Sequence, residues 1–325
     1  MTLRFRTALA MCAALVVPGY VAHAGTITPT QLIVFGDSLS DPGNAFLATS
    51  GAFPGPNYAT RIVPLVPVPV GYFTDGANTT PSTSISGLWI DQLAALMALP
   101  DPEPALAPLG GTNYAVGSAQ TGNANPQDMG NQVAAFLSAN PLAPANALYA
   151  FWGGANDLFN GGNPIQAADN IASEIGALGG AGARDFLWLN LPPLGNTPLG
   201  APASTALNLA SAAFNQEAAL DVNALNAQGL DVIPVDVSSL YAQIAANPGL
   251  FGFTDIVDPV QGVTLMNGMK ADNFLFWDAE HPTTAADQLI ARLALSDINA
   301  PEPASFVLTG LAFLAAAGIL RRKRR

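Results

Sequence analysis

Along the middle of the chain, short apolar runs that end in turn residues alternate with alanine-rich segments of helical period. The runs at 31–35, 147–152, 185–191 and 230–235 predict strands. Each is mostly apolar without a clean polar alternation, the pattern of parallel strands covered on both faces. Helices are predicted over 88–97, 167–178, 207–227 and 285–297. In the third of these, Leu207, Phe214, Ala218, Val222 and Leu225 form one apolar stripe. The last opens with Thr284 three residues ahead of Asp287, a capping-box-like start. The alternation predicts an α/β fold, a three-layer α/β/α sandwich around a mostly parallel central sheet, with right-handed crossovers. Ligands in such sheets bind at the carboxyl ends of the strands, where Ser38 and Asn156 would both lie.

Two stretches break the pattern. Residues 51–86, rich in Pro, Gly and Thr, predict a long ordered loop over the site, and 251–276 predict a second insertion. There is no internal repeat or inter-domain linker, so residues 25–300 are expected to form one domain. The ends differ in kind. Arg4 and Arg6 precede an apolar stretch over 8–17, and Ala22-His23-Ala24 supplies a small-x-small cleavage pattern, so residues 1–24 are expected to be a signal peptide removed by signal peptidase. An uncleaved anchor is the alternative. At the other end Pro301-Glu302-Pro303 is followed by an apolar segment over 304–320 and then Arg321-Arg322-Lys323-Arg324-Arg325. This tail resembles the PEP-CTERM sorting signal of Gram-negative bacteria that make exopolysaccharide. By the positive-inside rule the basic cluster stays on the cytoplasmic side, and the resemblance implies transient membrane association through 304–320 and a cut near the Pro-Glu-Pro by a sorting protease; a permanent anchor is the alternative. The location expected is the cell surface, extracellular matrix or periplasm.

Between residues 25 and 300 only Arg61, Arg184, Lys270 and Arg292 are basic against 22 acidic residues, a net charge of −18, which argues against a nucleic acid partner. The single cysteine, Cys12, lies in the leader, so the body has no disulfide and no thiolate nucleophile. Of the two histidines, His23 is also in the leader, leaving His281 as the one body side chain suited to proton shuttling near neutral pH. It sits in Asp278-Ala279-Glu280-His281-Pro282, and Gly36-Asp37-Ser38-Leu39 directly follows the first predicted strand. A serine on a strand-to-helix turn and a late histidine with an aspartate three residues before it are the parts of a serine hydrolase. Trp89 and Trp152 are expected in the core rather than as substrate platforms.

The stretch Val34-Phe35-Gly36-Asp37-Ser38-Leu39-Ser40-Asp41, with Gly43-Asn44, resembles the first block of the GDSL (SGNH) lipase and esterase family. Asn113-Tyr114-Ala115-Val116-Gly117-Ser118-Ala119 resembles the second, Gly154-Ala155-Asn156-Asp157 the third, and Asp278-Ala279-Glu280-His281-Pro282-Thr283 the fifth. The resemblance implies an SGNH-hydrolase-like, flavodoxin-like fold and assigns roles. Ser38 would be the nucleophile, His281 its general base and Asp278 the group that orients the imidazole. The backbone N–H groups of Ser38 and Gly117 and the side-chain amide of Asn156 would form the oxyanion hole. Ser118 stands where many relatives carry a second glycine. The expected activity is ester hydrolysis through an acyl-enzyme on lipid, short acyl or acetylated-sugar esters, with no cofactor and no metal. Acyl transfer on the same intermediate, or a non-catalytic extracellular-matrix protein, are the alternatives.

Overall fold

The computed structural model describes residues 28–75, 87–261 and 270–300; the leader 1–24 and the tail 301–325 predicted above lie outside the described residues. In chain order the strands are β1 (Gln31–Gly36), β2 (Ala59–Arg61), β3 (Val70–Tyr72), β4 (Ala147–Trp152), β5 (Asp185–Leu189) and β6 (Asp231–Val235). The helices are α1 (Asn44–Ala48), α2 (Trp89–Leu96), α3 (Met129–Ala139), α4 (Ala155–Phe159), α5 (Pro164–Ala181), α6 (Ser204–Ala227), α7 (Val237–Ala246) and α8 (Thr284–Ile298).

Successive residues of a strand point to opposite faces, and here both faces are apolar. Leu32, Val34, Leu148, Ala150, Trp152, Leu187, Leu189, Ile233 and Val235 pack against α2, α7 and α8. Ile33, Phe35, Tyr149, Phe151, Phe186 and Trp188 pack against α3, α5 and α6. The three layers therefore follow from strands without a polar face, as predicted. β1, β4, β5 and β6 form a parallel sheet in that order. On the free side of β1, Val34 bridges Asn113 in parallel, with Tyr114 N–H donating to Val34 O at 2.8 Å and Val116 N–H to Gly36 O at 3.2 Å. The segment around Asn113 thus flanks β1 on one edge while β4 flanks it on the other. The chain reverses its direction of travel across the sheet between β1 and β4, where an open α/β sheet leaves a crevice at its carboxyl edge.

Trp89 and Trp152 are both buried and meet edge to face at 5.7 Å, as expected of core residues. Four helices were not predicted, the five-residue α1 and α4 and the longer α3 and α7. α3 buries Met129, Gln132, Val133 and Phe136, and α7 buries Val237, Leu240, Tyr241 and Ile244. Both are i, i+3, i+4, i+7 stripes, visible in the sequence but short, and a glutamine in the first interrupts the apolar signal. α5 begins earlier than predicted because Asn163 caps it, accepting from Ile165 and Gln166 N–H, with Pro164 in the first turn. The start of α8 is corrected by one residue. Thr283, not Thr284, is the N-cap, and Asp287 does not reach back to the cap but turns inward to accept from Thr74 Oγ1 at 3.3 Å.

The loop predicted at 51–86 contains the antiparallel pair β2 and β3. Arg61 on β2 ties it down through Asp91 of α2 at 3.1 Å, Glu103 at 3.4 Å and a close contact with Asp101. A small apolar cluster of Val63, Val70 and Ala107 does the same from the other side. Among the described residues no helix is long and apolar enough to cross a membrane.

Candidate active site

β1 and β4 come together at their carboxyl ends, where a Cβ on Gly36 would lie 2.4 Å from the Trp152 carbonyl oxygen, so only glycine fits. The buried amide of Gln132 clasps the same residue, accepting from Gly36 N–H at 3.0 Å and donating to its carbonyl at 2.8 Å. The chain then turns away from the sheet. Leu39 N–H donates to Asp37 Oδ1 at 3.0 Å, and Trp89 Nε1 donates to Ser40 Oγ at 3.0 Å. Ser38, between these fixed points, projects from the turn at the crevice.

His281 reaches Ser38 from a loop 243 residues later in the chain. That loop is closed by an antiparallel bridge between Phe276 and Pro282 and by Trp277 N–H donating to His281 O at 2.8 Å. Within it Asp278 Oδ1 accepts from the N–H groups of Glu280 at 2.9 Å and His281 at 2.7 Å, so three residues of sequence suffice to set both side chains. His281 Nε2 lies 2.7 Å from Ser38 Oγ, and its Nδ1 lies 2.7 Å from Asp278 Oδ2. All three residues are buried. Ser38, His281 and Asp278 thus form one hydrogen-bonded relay, as the sequence leads one to expect.

Asn156 opens α4 directly after β4, on a turn whose Gly154 has φ +107° and would drive a Cβ into Phe214. Its Nδ2 donates to Ala119 O at 3.0 Å and makes a longer 3.4 Å contact with Asp37 Oδ2. Next to it the buried Asp157 accepts from Thr121 N–H at 3.0 Å and Thr121 Oγ1 at 2.9 Å, fastening α4 to the turn that contains residues 117–121. Gly117 departs from its expected role. Its N–H is buried and donates to Asp41 Oδ2 at 2.8 Å, so it is not free to meet an oxyanion. Asp41 also accepts from the N–H groups of Gly43, Asn44 and Ala45, at 2.8, 2.6 and 3.0 Å, and so locks the two turns together. The next residue, Ser118, is exposed with φ +65°, in the left-handed region where a glycine is the usual occupant. The turn thus exposes Ser118 and buries Gly117, whose N–H is taken up by Asp41.

Three further groups shape the site. Phe73 lies against the imidazole, ring centroids 5.0 Å apart and planes tilted by 30°. Tyr58 donates its hydroxyl to Asp278 Oδ2 at 2.7 Å. The cleft beside Ser38 has an apolar wall of Trp152, Phe159, Leu194, Tyr241 and Phe276. Trp152 is therefore both core and wall. Sequence reading placed a loop over the site but gave Tyr58, Phe73 and Asp41 no role. The signal available was four aromatic residues, Phe53, Tyr58, Tyr72 and Phe73, in a stretch otherwise rich in Pro and Gly; Asp41, three residues before α1, offers none. Asp169, Glu217 and Asp221 on α5 and α6 bring carboxylate oxygens within 4.8 Å of one another, but they are partly exposed and none belongs to the relay.

Burial drives the electrostatics. It lifts the Asp37 carboxyl to about 7, against the pull of the Leu39 N–H, and lifts Asp75 to about 7 and Asp287 well above the usual range. Burial works to lower the His281 pKa, but the charge and hydrogen bond of Asp278, with Glu280 and Asp37 behind them, outweigh it and raise the net value. Burial would raise Asp278; the imidazole, the Glu280 N–H and Tyr58 together hold it well below the carboxylate range instead. These shifts fix opposite pH trends. A carboxyl raised from 3.8, or an imidazole raised from 6.5, keeps in the fold a proton that the unfolded chain gives up. Its stabilisation is complete below the unfolded value and lost as pH rises through the folded one. Asp278, shifted down, adds stability above 3.8 and so does not oppose this trend. The melting temperature should therefore fall between about pH 5 and about pH 8. Over the same span a histidine base would become neutral, so kcat/KM for an ester should rise with a midpoint above about 6.5. Thermal melts and a pH-rate profile check both, and a midpoint at or below that value contradicts the Asp278 pairing.

The chain is 31% identical to an uncharacterized protein in the trpE-trpG intergenic region of Pseudomonas putida, covering 86% of this chain and 50% of that one. It is 26% identical to the thermolabile hemolysin of Vibrio parahaemolyticus, covering 83% and 64%, and 28% identical to Esterase EstA of Pseudomonas aeruginosa, covering 84% and 47%. The chain thus spans about half to two thirds of the length of these curated relatives. The profile of the GDSL-like Lipase/Acylhydrolase family matches residues 32–294, a span that begins in β1, ends in α8 and encloses every member of the relay. The chain belongs to the GDSL-like lipase/acylhydrolase family.

Proposed function

We propose that the chain is a serine ester hydrolase that works through an acyl-enzyme. The observation that carries this reading is the relay itself, Ser38 Oγ to His281 Nε2 and His281 Nδ1 to Asp278 Oδ2, both at 2.7 Å. Ser38 Oγ attacks the ester carbonyl carbon while its proton passes to His281 Nε2. The carbonyl electrons move to oxygen, and the resulting oxyanion is met by the N–H groups of Ser38 and Ser118 and by Asn156 Nδ2, which would exchange its long contact with Asp37 for the new acceptor. The tetrahedral species collapses, the alkoxide leaves with the proton from His281, and the acyl group stays on Ser38. Water then enters, gives a proton to the same nitrogen and releases the acid.

The apolar wall of the cleft favours the acyl chain of an ester over a sugar as the group held beside Ser38. A panel of p-nitrophenyl esters from acetyl to palmitoyl, with one acetylated sugar, tests the reading. Hydrolysis of acyl esters, faster for chains longer than acetyl, supports it; hydrolysis of the acetylated sugar alone overturns the choice of substrate, and no hydrolysis at all overturns the reading. Names of relatives such as Esterase EstA agree with ester chemistry. For Asn156→Ala, loss of one oxyanion donor should lower kcat by about a hundredfold to a thousandfold with little change in KM. A rise in KM at constant kcat would assign Asn156 to ground-state binding.

Export is part of the same proposal and rests on the sequence at the two ends: the apolar leader with its Ala22-His23-Ala24 site, and the Pro-Glu-Pro, apolar span and arginine cluster after residue 300. Intact mass of protein made in a host with the matching sorting protease should lack both ends. Retention of Arg325 would favour a permanent anchor.

A further inference from the structure

Asp278 has more donors than a catalytic relay needs. Oδ1 is filled by the Glu280 and His281 N–H groups, at 2.9 and 2.7 Å, and Oδ2 receives both His281 Nδ1 and the Tyr58 hydroxyl, each at 2.7 Å. Tyr58 comes from the segment between α1 and β2, 220 residues away in sequence. Its ring is held edge to face against Phe73 at 5.8 Å and against the imidazole at 6.4 Å. It also packs on the apolar cluster of Val260, Ala271, Phe274 and Trp277. The ring is thereby held with its hydroxyl on the carboxylate and the Gln261 side chain beside it.

We propose that Tyr58 is a positioning residue for the relay, its hydroxyl holding Asp278 Oδ2 in place and drawing off part of the negative charge that would otherwise go to the imidazole. The inference rests on the reading of His281 as the base of Ser38. Two donors share one oxygen, so each weakens the other's hydrogen bond. With the hydroxyl present, the imidazolium is held less tightly and His281 returns its proton to the leaving group more readily. With the hydroxyl absent, Oδ2 would serve His281 alone. The charged groups facing His281 are Asp278, Glu280 and Asp37, and those facing Tyr58 are Asp278 and Glu280. Of these, Asp278 is the one both side chains touch.

The test is Tyr58→Phe in the full chain, read by NMR titration of the His281 ring and by the pH-rate profile. The ring resonance is assigned by its loss in His281→Ala, which separates it from His23. Removing the hydroxyl keeps the aromatic packing and should move the His281 titration upward by about half a unit to one unit. The acid limb of kcat/KM should move with it, and kcat at the plateau should fall about tenfold with KM changed less than about twofold. A second variant guards against a purely structural effect. In an Asp278→Asn background the Tyr58→Phe shift of the imidazole should vanish, because the shared acceptor charge is gone. An unmoved or lowered titration in Tyr58→Phe, or an upward shift of equal size in both backgrounds, would overturn the proposal. The NMR readout needs no ester turnover, so an inactive wild-type protein would refute the proposed function without deciding this point.

Discussion

Ser38→Ala should lower kcat/KM for a hydrolysable ester by at least about four orders of magnitude, because in a serine relay loss of the nucleophile removes nearly all turnover beyond that of the oxyanion site alone. The substitution deletes one oxygen from a turn whose backbone is held elsewhere, by Gln132 on Gly36, Asp37 on Leu39 and Trp89 on Ser40. The fold should therefore survive. Ser38 is buried and its Oγ lies 2.7 Å from His281 Nε2, so the variant leaves one ring nitrogen without that partner. Circular dichroism should match the wild type. Residual activity above about a tenth would remove Ser38 from the mechanism.

Asp278→Asn should cost nearly as much, about ten thousandfold in kcat with KM little changed. The carboxylate accepts from four donors, and an amide of the same shape cannot. If its oxygen keeps the two backbone N–H groups, its NH2 group faces His281 Nδ1 and forces that nitrogen to be the acceptor. The proton then sits on Nε2, pointing at Ser38, and the imidazole can no longer take a proton from the hydroxyl. The same NH2 group would oppose the Tyr58 hydroxyl, which must turn away. The pH profile should lose its simple acid limb, since the group that raises the His281 pKa is gone. A variant within about tenfold of the wild type would show that Asp278 serves the fold rather than the base.

The layers of the fold were legible because apolar runs without alternation have few homes other than a covered parallel sheet. Runs at 147–152 and 31–35 become the two strands that border the crevice, so Ser38 and Asn156 could be placed at its edge from sequence alone. Asp278 and His281 were legible because three residues and a turn bring them together, a local event. What depends on contacts between distant segments was not legible. The N–H of Gly117 points at Asp41, 76 residues earlier, and no spacing in the sequence shows that this donor is already taken. Tyr58 and Phe73 meet His281 across more than 200 residues of sequence, on a loop that Arg61 ties to α2. The cap of α8 was misplaced by one residue because two threonines stand side by side, and the distant partners that hold them, Phe274 O for Thr283 Oγ1 and Asp75 for Thr284 N–H, do not show in the spacing. Helices α3 and α7 are short, and their stripes gained weight only once a sheet face was there to receive them.

The most direct test of the central claim is to trap the acyl position. The full chain is treated with a p-nitrophenyl alkylphosphonate, which mimics the tetrahedral species and transfers its phosphorus to an activated serine oxygen with loss of p-nitrophenolate. Intact-mass and peptide measurements then count and locate the adduct. The account predicts one adduct per chain, on Ser38, formed in step with loss of esterase activity and absent from Ser38→Ala and from His281→Ala. An adduct on another residue, or full ester turnover by protein whose Ser38 remains unmodified, would contradict it.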